Sequence, residues 1–296
     1  MSRQRLDQRL HTLGLTDSRE QAQRLIMAGE VLVDGQVVDR PAASVADDAA
    51  IELKSKPRFV SRGGDKLDAA LEHFQIEVAG LICADVGAST GGFTDCLLQR
   101  GAARVYAIDV GRGILDQRLR TDPRVVVMEE TNARYLERLP EPVQLVSIDA
   151  SFISLKLLLP VVKGWYGPHP NPPPSAASRN ADRGGDWGSL PLSGNFAEQT
   201  GEGPGMGVVA LVKPQFEAGR KEVSKGSGVI KDPAVHRRVL LEVLEFAVAQ
   251  GWGVKGLMVS PLRGPKGNVE FLAWLAPGAA PSIPPAQMVE ALLAPP

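Results

Sequence analysis

The sequence predicts two units: a small α+β module, then an α/β domain built on a doubly wound, mostly parallel sheet. Three observations carry this reading. From residue 81 onward, short β-branched runs alternate with helical stretches, as strand–helix–strand crossovers require. A glycine-rich loop, Gly87-Ala88-Ser89-Thr90-Gly91-Gly92, lies directly after one such run and before a helix. Residues 3 to about 60 carry instead two short helical patterns and a hairpin signal.

In the first unit, Leu6, Leu10 and Leu13 recur at helical spacing, with Arg3, Arg5 and Arg9 on other faces. Ser18 followed by Gln21 forms a capping-box pattern for a second helix carrying Ala22, Leu25 and Ile26, and Gly29 is placed to end it. Two β-branched runs then flank Asp34-Gly35, and Ile51-Glu52-Leu53 can add a strand. In the second unit, strands are expected at 81–86, 103–110, 145–148, 208–212, 254–259 and 269–274, with a helix over 93–99. The clearest helix is 234–249, where Asp232 caps, Pro233 occupies the first turn and Gly251 follows the end. The link Pro261–Asn268 is too short for a helical crossover, so the last two strands should be antiparallel. Residues 166–207, rich in Pro, Gly, Ser and Asn, read as a mobile insertion, and the tail after Pro277 should fray. The expected boundary divides 1–60 from 61–296.

Composition narrows the function. With 44% apolar residues the chain can build a real core. Lys and Arg number 33 against 34 Asp and Glu, so nucleic-acid binding must rest on local patches rather than bulk charge. Cys83 and Cys96 are too few for a disulfide framework or a zinc cluster, and their strand and helix positions suit a core rather than a nucleophile. His11, His73, His169 and His236 show no metal spacing. The start of the chain has no apolar leader, and the greasy stretch 143–162 is broken by Asp149 and Lys156. The expectation is a soluble cytoplasmic protein.

The loop at 85–92 is the first candidate site. Its glycines allow close backbone approach, and the following helix presents free N–H donors. The spacing is not the dinucleotide fingerprint. An acid two residues before the first glycine, here Asp85, is typical of loops that bind S-adenosylmethionine (SAM), and Asp109 at the next strand end is placed for ribose hydroxyls. The alternative is an ordinary strand-to-helix turn. Asp149 and Lys213 each follow a strand, at the carboxyl edge where open α/β sheets bind ligands. Either alone would pass as a solvated loop residue; together on one side of a sheet they point to a site. Asn171-Pro172-Pro173-Pro174 imitates an amine-methyltransferase motif but falls in the low-complexity segment and is set aside.

At this point the whole chain resembles the TlyA (haemolysin A) family of ribosomal RNA 2′-O-methyltransferases. Arg19-Glu20-Gln21-Ala22, Leu25-Ile26, Gly29 and Val33-Asp34-Gly35 are similar to an S-four-type RNA-binding module. Five further motifs resemble the FtsJ-like methyltransferase fold: Ser61–Leu67, Asp85–Phe93, Asp149–Leu155, Leu211–Glu217 and Gly267–Glu270. The resemblance implies a Rossmann-like class I SAM-dependent domain with a mostly parallel seven-stranded sheet. It also implies a tetrad of Lys66, Asp149, Lys213 and Glu270. Composition alone would read Lys66 as a solvated helix-start lysine and Glu270 as a strand residue facing water. Lys213 would act on the ribose 2′-hydroxyl as a neutral base or by stabilising an alkoxide, with the carboxylates orienting the lysines. SAM would be cradled by Asp85, Gly87, Ser89, Gly91, Gly92 and Asp109, with Asn132 at the adenine, and no metal is called for.

The implied partner is ribosomal RNA or a ribosomal subunit, methylated at cytidine riboses. Its grip would come from Arg3, Arg5, Arg9, Arg19 and Arg24 on the first two helices and from Lys54, Lys56, Arg58 and Arg62 in the linker. Arg220, Lys221, Lys225, Arg237 and Arg238 would flank the catalytic side. With 5% aromatic residues, phosphate contacts should outweigh base stacking. Two rivals are a non-catalytic ribosome-assembly factor, opposed by four intact tetrad positions, and the membrane-lysing activity that the family's older name suggests. No long apolar segment supports the latter.

Overall fold

The structure, a computed structural model, describes residues 3–54, 57–166, 207–219, 222–223, 228–264, 266–278 and 283–294. Residues 167–206, the body of the expected insertion, lie outside these, as do Lys56, Arg220, Lys221 and Lys225. Tyr166 and Gly207 bracket that stretch and touch, the Tyr166 hydroxyl donating to the Gly207 carbonyl at 2.6 Å. The chain divides into two compact units, Met1–Arg58 and Phe59–Pro296.

The first unit runs β1 (Arg3–Arg5), α1 (Leu6–Thr12), α2 (Arg19–Met27), β2 (Val31–Val33), β3 (Gln36–Val37), β4 (Ser44–Ala46) and β5 (Ile51–Leu53). Strand β2 pairs antiparallel with β3 and β5. The β2–β3 turn has positive φ at both Asp34 (50°) and Gly35 (77°), which is why an Asp-Gly pair marks it. Leu6, Leu10, Ala22, Ile26, Val31 and Val45 make the core. Ser18 accepts from the Gln21 backbone N–H as expected, but the Gln21 side chain returns to the Asp17 N–H, one residue before the cap. Arg3 and Arg5 correct the sequence reading: they lie on β1, paired with β4, and not on the first helix. Leu13 likewise falls just past α1 and is exposed. Three residues of extended pairing at the start of the chain carry no periodic signal strong enough to distinguish them from a helix start.

Asp7 organises this unit. Its side chain is fully buried, and it accepts hydrogen bonds from Arg5 and Arg19 at 3.0 Å and from Gln23 at 2.9 Å. Those donors, Arg5 foremost, hold its carboxyl far below the usual range.

The second unit opens with α3 (Gly63–His73), β6 (Ile82–Val86), α4 (Gly92–Gln99), β7 (Arg104–Ile108), α5 (Gln117–Arg120) and β8 (Val125–Met128). It continues through β9 (Leu145–Ile148), α6 (Leu155–Val162), β10 (Gly207–Val212) and α7 (Pro214–Glu217). It closes with α8 (Pro233–Ala249), β11 (Trp252–Val259), β12 (Phe271–Pro277) and α9 (Pro285–Leu293). Among the described residues, seven strands form one sheet in the order β11-β12-β10-β9-β6-β7-β8. The pairs from β10 through β8 are parallel, while β12 runs antiparallel to both β10 and β11. Each buried strand sends alternate residues to opposite faces: on β6, Ala84 and Val86 join α6 and α8, while Cys83 joins α3 and α4. The ends of α8 are as the sequence reads, with the Asp232 side chain accepting from the Ala234 N–H and Gly251 at φ 78°. The tail is a correction: residues 285–293 form a helix, because Met288, Val289 and Leu292 share an apolar face that packs on the core. Among the described residues, no helix is long and apolar enough to cross a membrane.

Asp85, on β6, is a fully buried carboxyl that accepts from the Thr94 hydroxyl at 2.7 Å and the Ser147 hydroxyl at 3.3 Å. Burial pushes its pKa up to about 7, against the opposing hydrogen bond from Thr94. A value raised on folding means that the folded chain holds the proton more tightly. This contribution to stability is therefore complete below about pH 4 and is lost as pH rises through about 7.

Two outcomes are expected. Truncating Asp7 to Ala should destabilise the first unit by about 2 kcal/mol, read as roughly thirtyfold faster amide hydrogen exchange over residues 6–27 at neutral pH. Melting temperatures from pH 5 to 9 should fall with pH in the native chain and flatten in Asp85→Asn. Identical pH profiles would show that Asp85 does not titrate there.

Candidate active site

The carboxyl edge of the sheet gathers the charged groups. Strands β9 and β10 are parallel, so Asp149, just after β9, and Lys213, just after β10, emerge at the same edge. Strand β12 runs the other way, with Phe271 opposite Val212, so Glu270, just before β12, arrives beside Lys213. The first turn of α3 supplies Lys66. Its ammonium lies 2.6 Å from the Glu270 carboxylate, although 204 residues separate the two. The Lys213 ammonium lies 2.5 Å from Asp149 and donates to the Ser151 hydroxyl at 2.9 Å. Gln215 joins the Lys66–Glu270 pair, its amide donating to Glu270 at 3.5 Å. Lys66, Lys213 and Glu270 are buried, at 8%, 9% and 1% exposure. The composition-based readings of Lys66 as solvated and Glu270 as facing water therefore do not hold.

Two adjoining cavities open beside these pairs. The larger, about 520 Å³, is lined by Gly87, Ser89, Asp109, Val110, Asn132 and Asp149 among others. The smaller, about 220 Å³, shares Gly87, Ser89 and Asp149 and adds Arg62, Lys66 and Gly92. At Gly87 (φ 83°) a Cβ would stand 2.8 Å from the Asp149 carbonyl, so only glycine keeps this approach open. Asp109 accepts from the Ser89 and Gly111 backbone N–H groups at 2.8 and 2.7 Å, which fixes its carboxylate at the cavity wall. Each oxygen keeps a further lone pair for a ribose hydroxyl. The Asn132 side-chain oxygen caps the turn at Ala133–Tyr135, accepting from the Arg134 N–H, and the residue lines the larger cavity. These donors and acceptors, with the apolar side chains of Val110 and Ile108, suit an adenosine-bearing ligand such as SAM.

Two expected cradle residues do not line either cavity. Asp85 lies behind the loop, where Thr94 and Ser147 engage its carboxyl. Gly91, in the left-handed region at φ 97°, packs against Leu115 and Leu119 and sets the start of α4. Gly92 reaches the smaller cavity, but a Cβ there would collide with Ser61, so it also lets α3 and α4 meet. The two cysteines are buried, as their positions suggested. Among the described residues, no group of three or more His, Cys, Asp or Glu is arranged to hold a metal ion.

Sequence reasoning missed three residues here. Phe152 lines the larger cavity at 90% exposure with φ 64°, a strained conformation for an aromatic residue. Its ring rests 4.9 Å from that of Phe216, which lies 5.7 Å beneath the Lys213 ammonium. Glu217 accepts from the Ser154 hydroxyl and the Leu155 N–H at 2.5 and 2.7 Å, binding the loop after Asp149 to the segment after Lys213. Its burial raises its carboxyl above the usual range. Ser151 is the third, as the Lys213 partner. All three fall inside quoted motifs, but nothing in the string marks which side chains turn inward.

The candidate RNA contacts divide. Arg62 stands just before α3 and lines the smaller cavity. In the first unit, Arg5 and Arg19 spend one side of each guanidinium on Asp7, Arg3 bonds Ser44, and Arg24 projects from α2. On the second unit, Arg237 and Arg238 pair with Glu290 and with Glu222 and Glu242, which weakens them as phosphate ligands.

Comparison with known proteins bears on the family and the order of the domains. The FtsJ-like methyltransferase family matches residues 59–276, and the S4 domain matches residues 4–49. The chain is 45% identical to the 16S/23S rRNA (cytidine-2′-O)-methyltransferase TlyA of Mycobacterium tuberculosis, over 92% of this chain and 90% of that one. It is 36% identical to Hemolysin A of Brachyspira hyodysenteriae, over 91% and 98%. A solved structure from Streptococcus thermophilus that carries the hemolysin name superposes with a TM-score of 0.68 at 39% identity, over 99% and 95%. With the fold, the glycine loop and the domain order in accord, the chain belongs to the FtsJ-like methyltransferases, in the branch where an S4 domain precedes the SAM-dependent unit.

Proposed function

We propose that this chain transfers a methyl group from SAM to the 2′-hydroxyl of a cytidine ribose in ribosomal RNA. The observation that carries the reading is the double ion pair, Lys66–Glu270 and Lys213–Asp149, of which Asp149 lines both cavities and Lys66 the smaller. The M. tuberculosis relative, named for this reaction on cytidines of 16S and 23S rRNA, supports the substrate. The S4 domain supports RNA as the partner, through the exposed faces of Arg3, Arg5, Arg19 and Arg24. The cytoplasm is the compartment where such RNA is met.

When bound, SAM supplies a methyl group already activated by its sulfonium. The chain's own task is to align the acceptor oxygen and manage its proton. As the O–C bond forms and the S–C bond breaks, the hydroxyl proton must leave. Lys213, ion-paired with Asp149, favours the role of a cation that stabilises the developing alkoxide over that of a neutral base. Asp149, the more exposed partner, faces both cavities and is the acceptor in reach of the departing proton. Glu270, buried and engaged by Lys66 and Gln215, lines neither cavity and acts as a positioning residue. Phe152 offers an exposed ring beside the site on which the target base can stack.

Labelled SAM incubated with separate ribosomal subunits should give ribose methylation, mapped as resistance to alkaline cleavage. Lys213→Ala should lower the transfer rate at least about 100-fold with SAM affinity retained; near-native turnover would remove its role. Phe152→Ala should raise KM for RNA about tenfold without altering SAM binding; an unchanged KM would rule out the stack.

A further inference from the structure

The smaller cavity carries more positive charge than the reaction at the tetrad needs. Three cationic side chains line it: Lys66, Arg62 and Arg263. Lys66 is neutralised by Glu270, and Asp149, the acid on this wall, is neutralised by Lys213. Arg62 and Arg263 are exposed, and neither has a carboxylate partner among the described residues. The Arg263 guanidinium makes one weak bond, to the Gly267 carbonyl at 3.3 Å. Two guanidinium forks thus face one cavity without compensation.

Their backbones are fixed to the tetrad. Arg62 occupies the position just before α3, one turn ahead of Lys66, and its side chain makes no capping bond. Arg263 sits in the turn ahead of β12, next to Gly264, where a Cβ would collide with the Glu270 carboxylate. That turn is closed by the Gly264 N–H donating to Asn268 at 2.9 Å and the Gly267 N–H donating to Gly264 at 2.8 Å. A strand that brings a ribose to Lys213 carries a phosphodiester on each side of it, and paired guanidiniums match phosphate oxygens in charge and geometry.

We propose that Arg62 and Arg263 together seat a backbone phosphate of the RNA strand adjoining the methyl-accepting ribose, an inference that rests on the function proposed above. Arg263 is thereby an RNA-binding residue in what otherwise reads as a plain connecting turn. The competing oxyanion is the carboxylate of the methionyl end of SAM, and the test separates the two.

Arg62→Ala and Arg263→Ala, in the full chain, are compared with the native protein for binding of purified ribosomal RNA across a salt series and for SAM binding by equilibrium dialysis. Each variant should bind RNA about tenfold more weakly. Each should also lose about one unit of slope in log K against log salt and keep native SAM affinity. Arg263→Lys, which keeps charge but not the fork, should fall between native and alanine. Weakened SAM binding with native RNA affinity would overturn the proposal in favour of the amino-acid carboxylate. Unchanged binding of both would overturn it outright. The RNA-binding arm needs no turnover, so a native protein that binds RNA yet methylates none would count against the proposed reaction and not against this seat.

Discussion

The pairing of Phe271 with Val212 is the constraint on which the site depends. Because β12 enters the sheet antiparallel, the residue before it arrives at the edge that the parallel strands leave. Glu270 and Lys213 are neighbours for that reason alone, and Lys66 follows because it must neutralise Glu270. A slip of one residue would exchange Phe271, Ala273 and Leu275 with Leu272 and Trp274 between the two core faces and move Glu270 away. Ion pairs buried to this degree are a poor source of stability, since the desolvation of each charge offsets much of the attraction. On the function proposed above, they serve chemistry that the surrounding core must support.

That support is visible in the loops. Asp109 holds Ser89 and Gly111, Glu217 holds Ser154 and Leu155, and the missing Cβ of Gly87 lets the loops after β6 and β9 touch. Each contact fixes one edge of a cavity without reaching far into it. The strain at Phe152 is offset by the ring of Phe216, so an apolar side chain is kept in solvent where a flexible loop would bury it. The first unit uses the same device at Asp7, where one buried carboxylate sets the direction of two arginines. In both units a fixed carboxylate sets the direction of the groups that donate to it.

Much of this was legible in the string because the informative residues are local. Strand–helix alternation, the Asp34-Gly35 turn, the caps at Ser18 and Asp232, and the glycine loop all arise from interactions a few residues long. The antiparallel final pair followed from link length. The errors share a cause in the opposite sense. The short strand β1 is stabilised by β4 some forty residues away, and α9 by the core it covers.

The site divides along the same line. By itself the sequence determined the strand ends that bear Asp149 and Lys213 and the loop that can approach a cofactor, since these depend on position within an element. Resemblance to a known family was needed to single out Lys66 and Glu270. Only the tertiary structure decided that those two are buried against each other, that Asp85 and Gly91 stand behind the cavities, and that Phe152 and Arg263 face them. The physical reason is that burial and pairing between residues as much as two hundred positions apart are set by sheet register and helix packing, which no local pattern of side chains encodes.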